Sequence, residues 1–142
     1  MSIKDTEFHK RQEQLTEEIY NSSGMLPSRY VFILTNLCNL RCDFCFQEKK
    51  PRADAMTPEE WMNLSRQLPE YARVTLTGGE PLIFNGFKDV FNDVAEKFDC
   101  NIISNGTLLN RELTNFMLDY DKFRVLSISI DDIGNKVRDV ST

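Results

Sequence analysis

Three features that would each point to a particular class of protein are missing from the sequence. It carries 17 basic against 22 acidic residues, a formal net charge of −5, so the basic excess typical of nucleic-acid-binding proteins is absent. No apolar run approaches the roughly 18 residues of a membrane span. The N-terminal residues are polar and charged, unlike a secretory signal. We therefore expect a cytoplasmic protein with neither a nucleic-acid partner nor a membrane partner.

Histidine is nearly absent, and cysteine is scarce but clustered. Cys38, Cys42 and Cys45 lie within the stretch "CNLRCDFC", whereas Cys100 is far along the chain. Clustered cysteines in a reducing compartment more often hold a metal than form disulfides. His9 is the single histidine. It lies in an N-terminal segment with a helical pattern and would have to fold back across the protein to serve as a ligand.

Four short apolar runs rich in β-branched residues predict strands. Because their hydrophobicity is continuous rather than alternating, they are typical of strands buried on both faces of a parallel sheet. They cover residues 30–36, 73–79, 100–106 and 123–131.

Helical patterns separate these runs. The segment 57–68 opens with Thr57 as N-cap and with Glu60 to close a capping box. Segments 87–98 and 110–120 place apolar and aromatic side chains on one face, which we interpret as core packing against the sheet.

The alternation of strands and helices predicts an α/β fold with about four parallel strands, preceded by an N-terminal helix. We expect a helical extension and linker at residues 1–29 and a core at residues 30–142. Ligands in such folds collect at the carboxyl ends of the strands. The cysteine cluster, "GGEP", "SNG" and "IDD" each follow one of the four strands. The site is therefore predicted at that edge, with Cys100 at the opposite end as a buried, small apolar residue.

Three thiolates without a clear fourth protein ligand indicate a metal site with an open coordination position. A structural zinc site is closed by four protein ligands, and an electron-transfer iron–sulfur cluster is normally held by four cysteines. Three ligands would leave one iron open to a substrate or cofactor. Chance placement and a partial zinc knuckle are the plainer alternatives.

The pattern Cys-x3-Cys-x2-Cys after an apolar strand, with Phe44 before the last cysteine, resembles the signature of radical S-adenosylmethionine (SAM) enzymes. The resemblance continues through "TGGEP", "SNG" and "SISIDD" and covers about residues 30–142. It implies a 4Fe–4S cluster on Cys38, Cys42 and Cys45, with SAM bound to the fourth iron. Reductive cleavage of SAM would then yield methionine and a 5′-deoxyadenosyl radical that abstracts hydrogen from the substrate, an oxidoreductase chemistry.

The resemblance also implies a set of cofactor contacts. Gly78 and Gly79 would let the backbone approach the methionine end of SAM, and Glu80 or neighbouring carbonyls would accept from its ammonium group. Phe44 would line the adenine pocket, and Arg138 would pair with the carboxylate. The expected cofactor-binding residues are Phe44, Gly78, Gly79, Glu80, Pro81, Ser104, Asn105, Ser129, Asp131 and Arg138.

Polar residues in the later loops complete that set. Ser104 and Asn105 could reach the methionine or the ribose, and Ser129 and Asp131 the ribose hydroxyls. For each cofactor contact a plainer role stays open: a turn, a strand-end cap, core packing or a surface charge.

Relatives of this style carry six-stranded partial barrels, whereas this sequence stops soon after the fourth strand. We therefore expect a truncated (β/α) partial barrel, an inactive N-terminal fragment whose bare edge strand can form a dimer. The motifs are closest to the branch that modifies peptides and proteins, so a peptide or protein substrate and a reductant or electron-transfer protein are the expected partners. The alternatives are a non-enzymatic iron–sulfur or zinc-binding module and a regulatory or binding fragment that has lost its cluster.

Overall fold

A computed structural model of the chain describes residues 3–130, with side chains from Thr6 onward. Its elements in chain order are α1 (Ile3–Asn21), β1 (Arg29–Ile33), α2 (Pro58–Ser65), β2 (Arg73–Thr77), a 3-10 turn (Pro81–Ile83), α3 (Phe87–Lys97), β3 (Asp99–Ser104), α4 (Arg111–Leu118) and β4 (Phe123–Ile128). No helix in this part of the chain has both the length and the apolar content needed to cross a bilayer.

The four strands form one parallel sheet in the order β1-β2-β3-β4. Each strand thus pairs with the strand that follows it in sequence. This is how a barrel winds, whereas a doubly wound sheet reverses its strand order. The predicted α/β partial barrel with four parallel strands and a preceding helix is confirmed. All four carboxyl ends meet at one edge of the sheet, and the loops that leave them lie together.

Local sequence accounts for the helices that cover the sheet. At the start of α2 the Thr57 hydroxyl oxygen accepts the Glu60 N–H at 3.3 Å, and the Glu60 carboxylate accepts the Thr57 N–H at 2.8 Å. This is the predicted capping box, which satisfies two N–H groups that have no partner within the helix. Helix α3 buries the apolar stripe predicted in segment 87–98, which consists of Phe87, Val90, Phe91, Val94 and the C-cap residue Phe98.

The core lies between the sheet and helices α2 to α4. Val74, Leu76 and Ile102 point into it from the strands and are fully buried. Phe91 stands at its centre and contacts the rings of Phe116, Tyr120 and Phe123, with centroid separations of 5.2–5.6 Å. Aromatic pairs at such distances stabilise by about 0.5–1.5 kcal/mol each beyond their buried area, so this cluster holds α3 and α4 to the sheet.

Helix α1 packs at the amino ends of the strands, opposite the edge where the loops gather. Its Phe8 is buried beneath the guanidinium groups of Arg73 and Arg124, which lie 5.6 Å and 6.0 Å from the ring centroid. Arg124 also donates to the Asp99 carboxylate at 2.7 Å, and Arg11 of α1 binds the same carboxylate. Helix α1 is therefore tied to the first residues of three strands.

Candidate functional site

The three clustered cysteines lie in a long connection, residues 34–57, which we call the cysteine loop. It leaves the carboxyl end of β1 and contains no helix or strand. Cys38, Cys42 and Cys45 are half-buried free thiols. The Cys45 N–H donates to the Cys42 carbonyl in a turn, with an N···O distance of 3.1 Å. All three line a cavity of about 300 Å³, at the lower end of the range for small-molecule sites. Six predicted cofactor residues share its wall, namely Phe44, Gly78, Gly79, Ser104, Asn105 and Ser129.

The cysteine loop is held by one apolar anchor and by hydrogen bonds of its own. Leu40, between the first two cysteines, is 1% exposed. The Lys49 ammonium donates to the Leu40 carbonyl at 2.7 Å. The Asn36 amide donates to the carbonyls of Glu48 and Lys50, and so ties the return arm of the loop to its start. The loop thus has a defined path although it lacks regular secondary structure.

The two glycines after β2 are required by the cysteine loop itself. A Cβ on Gly78 would collide with the backbone of Thr35, and one on Gly79 with the carbonyl group of Leu37. The Gly79 N–H instead donates to the Thr35 carbonyl at 2.7 Å. From the sequence, this close approach was expected to serve the cofactor. The structure shows that protein backbone occupies the Cβ positions, while both glycines still border the cavity.

Glu80 lies behind the cavity and does not line it. Its side chain is fully buried, and its carboxylate accepts the N–H groups of Leu82 at 3.1 Å and Asn105 at 2.8 Å and the hydroxyl of Ser104 at 2.9 Å. This placement differs from the expectation that the carboxylate receives the SAM ammonium group, because protein donors surround it. Pro81 is also buried, at the start of the 3-10 turn. The carbonyl groups of this segment remain the alternative acceptors.

The side chains of Ser104 and Asn105 also form their hydrogen bonds within the protein. The Ser104 oxygen accepts the Gly106 N–H at 3.0 Å while its hydroxyl donates to Glu80. The Asn105 amide donates to Asn39 at 2.8 Å and to the Cys38 sulfur at 3.7 Å. Its oxygen accepts the N–H and hydroxyl of Thr107 at 3.0 Å and 2.7 Å.

Sequence reasoning therefore missed Asn39 and Thr107 as parts of the site. Asn39 could have been suspected as a polar residue between two cysteines. Thr107 carries no such signal, because only the fold brings it to the cysteine loop.

The remaining predicted residues lie at the rim or outside the described part of the chain. Ser129 follows β4 and donates its N–H to the Ser104 carbonyl at 2.9 Å, which keeps it at the cavity. Phe44 is 56% exposed and stands at the rim beside Phe46, which is 92% exposed. Asp131 and Arg138 fall outside the residues that the structure describes.

The donor set consists of three sulfur atoms beside an open cavity. His9 lies on α1 at the other edge of the sheet and does not join them. Within residues 3–130, no three His, Cys, Asp or Glu side chains converge as ligands of a single ion. Thiolates suit both zinc and iron–sulfur clusters. A structural zinc site is closed around its ion, whereas these thiols border a space large enough for a further ligand.

Cys100 lies apart from this site, as predicted. It is the second residue of β3, is fully buried in the core, and pairs in register with Val74. Burial raises the pKa of its thiol to about 12, with a smaller contribution from the charge of Asp99. A thiol of this kind is inert and cannot serve as a ligand at neutral pH.

A larger cavity, of about 470 Å³, lies at the amino ends of the strands beside α1. Several of its charged side chains are held in ion pairs. Asp99 is bound by Arg11 and Arg124, and Lys97 is bound by Asp93 at 2.5 Å. The sulfur donors and the glycine pair are all at the opposite edge.

Comparison with known proteins identifies relatives of this arrangement. The family model described as the Radical SAM superfamily matches residues 32–141. The sporulation killing factor maturation protein SkfB of Bacillus subtilis (strain 168) is 33% identical over 131 residues, which cover 87% of this chain and 32% of SkfB. The antilisterial bacteriocin subtilosin biosynthesis protein AlbA of the same organism is 28% identical over 118 residues, which cover 80% of this chain and 26% of AlbA.

A solved structure shares the fold. SuiB of Streptococcus suis, bound to the precursor peptide SuiA, superposes with a TM-score of 0.69 at 19% identity over 96% of this chain and 31% of SuiB. At this identity the likeness shows the fold alone. The chain spans about a third or less of the length of these relatives.

Proposed function

This chain belongs to the radical SAM superfamily, and from that premise we propose that Cys38, Cys42 and Cys45 hold a 4Fe–4S cluster beside a SAM-binding cavity. One observation carries the proposal. The three thiols and the Gly78–Gly79 pair line the same cavity at the carboxyl edge of the sheet. Three cysteines leave one iron without a protein ligand, and the open space beside them can admit the small molecule that completes the coordination.

The residues of the chain bind and orient, and the cofactors supply the reactive chemistry. When bound and reduced by one electron, the cluster and SAM would supply radical chemistry for hydrogen abstraction from the substrate. Gly78 and Gly79 present backbone without side chains to the cavity, and Phe44 covers its rim. Ser129, held by its N–H bond to Ser104, places a hydroxyl at the end of β4.

Not every predicted contact acts on SAM in this proposal. Ser104 and Asn105 form part of the cavity wall, and Glu80 and Pro81 support it from behind, because these side chains are buried or bonded within the protein. Asp131 and Arg138 remain proposed contacts of the ribose and the carboxylate.

We propose a peptide or protein as the substrate of the whole enzyme. The support is the nature of the relatives: SkfB is described as a maturation protein, AlbA as a bacteriocin biosynthesis protein, and SuiB was solved with a precursor peptide. The enzyme also needs a reductant or electron-transfer protein to supply electrons. Its cluster and reduced thiols suit the cytoplasm.

The chain itself can also pair with a second copy. Within the described sheet β4 has a strand on one side only, so its other edge carries free N–H and C=O groups. We propose a dimer through this edge, which light scattering of the purified chain would detect.

Anaerobic reconstitution with iron and sulfide tests the cofactor proposal. We expect close to four irons and four sulfides per chain, and an electron paramagnetic resonance signal of the reduced cluster that changes when SAM is added. A chain that takes up one zinc and no sulfide would overturn the proposal in favour of a zinc-binding module. A cluster whose electron paramagnetic resonance signal does not change when SAM is added would favour a non-enzymatic iron–sulfur module.

A further inference from the structure

A closed ring of hydrogen bonds joins the cysteine loop to the loop after β3. The Asn39 amide donates to the Thr107 hydroxyl oxygen at 2.8 Å, and that hydroxyl donates to the Asn105 oxygen at 2.7 Å. The Asn105 amide closes the ring by donating to the Asn39 oxygen at 2.8 Å. Each group donates to the next in the same direction around the ring. Hydrogen bonds in such a chain polarise and strengthen one another.

The ring determines the orientation of the Asn105 side chain. Exchanging its oxygen and nitrogen would bring two donors together at Thr107 and two acceptors together at Asn39. In the observed orientation its oxygen accepts two hydrogen bonds and one N–H serves Asn39. The remaining N–H is aimed at the Cys38 sulfur, 3.7 Å away. All four hydrogen-bonding positions of the amide are then used, so none is free for a cofactor.

The ring reaches the cluster motif at Cys38. The Cys38 sulfur accepts the Leu40 N–H at 3.4 Å in addition to the Asn105 amide. The Cys38 thiol in turn donates to the Asn39 oxygen at 4.0 Å, a contact that its thiolate form would lose. Hydrogen bonds to the sulfur atoms are one of the main determinants of the reduction potential of an iron–sulfur cluster. The reason is electrostatic: reduction adds negative charge that is shared with the sulfurs, and an N–H donor stabilises that charge.

We propose that Asn105 is a positioning residue for the cluster, which donates an N–H to the Cys38 thiolate and so raises the reduction potential. Asn39 and Thr107 act through it by holding its amide in place. This role rests on the proposed function, because it requires a cluster on Cys38. It differs from the sequence-based expectation that Asn105 contacts the methionine or ribose of SAM.

The experiment is a dye-mediated reductive titration of the reconstituted chain with dithionite, without SAM. In Asn105→Ala the ratio of reduced to oxidised cluster at a fixed potential should fall about 2- to 10-fold, the range of one lost hydrogen bond. Thr107→Val keeps Asn105 but removes the hydroxyl that orients it, so a smaller shift in the same direction is expected. Asn63→Ala, on the exposed surface of α2, is the matched control and should match the unaltered chain.

The outcomes separate this inference from the proposed function. If the unaltered chain forms no cluster, the proposed function fails first. If clusters form and Asn105→Ala leaves the reduction potential unchanged, Asn105 does not act on Cys38 and the inference is overturned. A loss of SAM affinity with an unchanged potential would show that Asn105 contacts the cofactor instead. If Asn105→Ala cannot hold a cluster, Thr107→Val decides: a lowered ratio supports the inference and an unchanged ratio overturns it.

Discussion

The buried carboxylate of Glu80 accepts the backbone N–H of Asn105 at 2.8 Å across the edge of the sheet. This bond joins the loop after β2 to the loop after β3. The Leu37 carbonyl accepts the Glu80 N–H at 2.9 Å, so the cysteine loop is bound to the same residue. Glu80 thus connects three of the loops that form the site without lining its cavity.

Glu80→Ala should destabilise the chain strongly. It would leave the buried Ser104 hydroxyl and the part-buried N–H groups of Leu82 and Asn105 without their acceptor, and we expect a loss of about 2–5 kcal/mol in the free energy of unfolding. Urea denaturation of the metal-free chain measures it. Glu112→Ala is the control, because that exposed carboxylate makes a surface ion pair with Lys88 at 3.3 Å. Equal losses in the two variants would contradict the role given to Glu80.

Gly79→Ala should loosen the cysteine loop. The added methyl group meets the Leu37 carbonyl, so the loop must move away from β2. We expect trypsin to cleave severalfold faster after Arg41 and Arg52, because local opening controls proteolysis of such segments. Gly24→Ala meets nothing within 4 Å but strains the backbone at its φ of 111°, so it controls for a destabilisation that does not involve the cysteine loop. Cleavage of the loop at the unaltered rate in Gly79→Ala would show that the contact is not important.

The four cysteines should differ in their effect on iron binding. Alanine at Cys38, Cys42 or Cys45 removes a ligand and should abolish the cluster or reduce it to a minor fraction after reconstitution. Cys100→Ala should retain close to the full iron content, because the Cys100 thiol is buried in the core at the other end of β3. Iron and sulfide counted per folded chain distinguish the variants. Cluster loss in Cys100→Ala with retention in Cys42→Ala would reverse the assignment.

Cys100 should make stability depend on pH above about 9. Its thiol has a pKa of about 12 in the folded chain against an ordinary value of 9.0, so between these values the unfolded chain releases a proton that the folded chain keeps. The unfolded state binds fewer protons there, and stability falls as pH rises. At pH 10 the loss should be roughly 1.4 kcal/mol relative to pH 7. The free energy of unfolding, measured from pH 7 to 10, should fall more in the unaltered chain than in Cys100→Ala. Parallel pH curves for these two chains would refute the prediction.

The sequence alone predicted the elements well where periodic burial dictates them. Four continuous apolar runs correspond to the four strands, and the stripe from Phe87 to Val94 is the buried face of α3. Each predicted strand runs past the carboxyl end of the observed strand. The run 30–36 is predicted as one strand, but β1 ends at Ile33, and the carbonyls of Thr35 and Leu37 instead accept the N–H groups of the two residues that precede Pro81. Hydrophobicity cannot show where a chain leaves a sheet to meet another loop.

The candidate site was predicted in position but not in its internal bonding. The cysteine spacing and the strand-following loops located the cavity, because parallel strands bring their carboxyl ends together. The direction in which Glu80 and Asn105 point depends on partners that are distant in the chain. A polar residue after a glycine pair has the same sequence pattern whether it faces a cofactor or the protein, so these roles required the structure.

The strand order has a consequence for the newly synthesised protein. Because each strand pairs with the one made just before it, the sheet can grow in step with the ribosome. The cysteine loop is made early, yet its anchors at Gly79, Glu80, Asn105 and Thr107 emerge only later. The cysteine loop therefore lacks these contacts during part of synthesis, and the proposed cluster would reach its final geometry only after the loop that follows β3 has been translated.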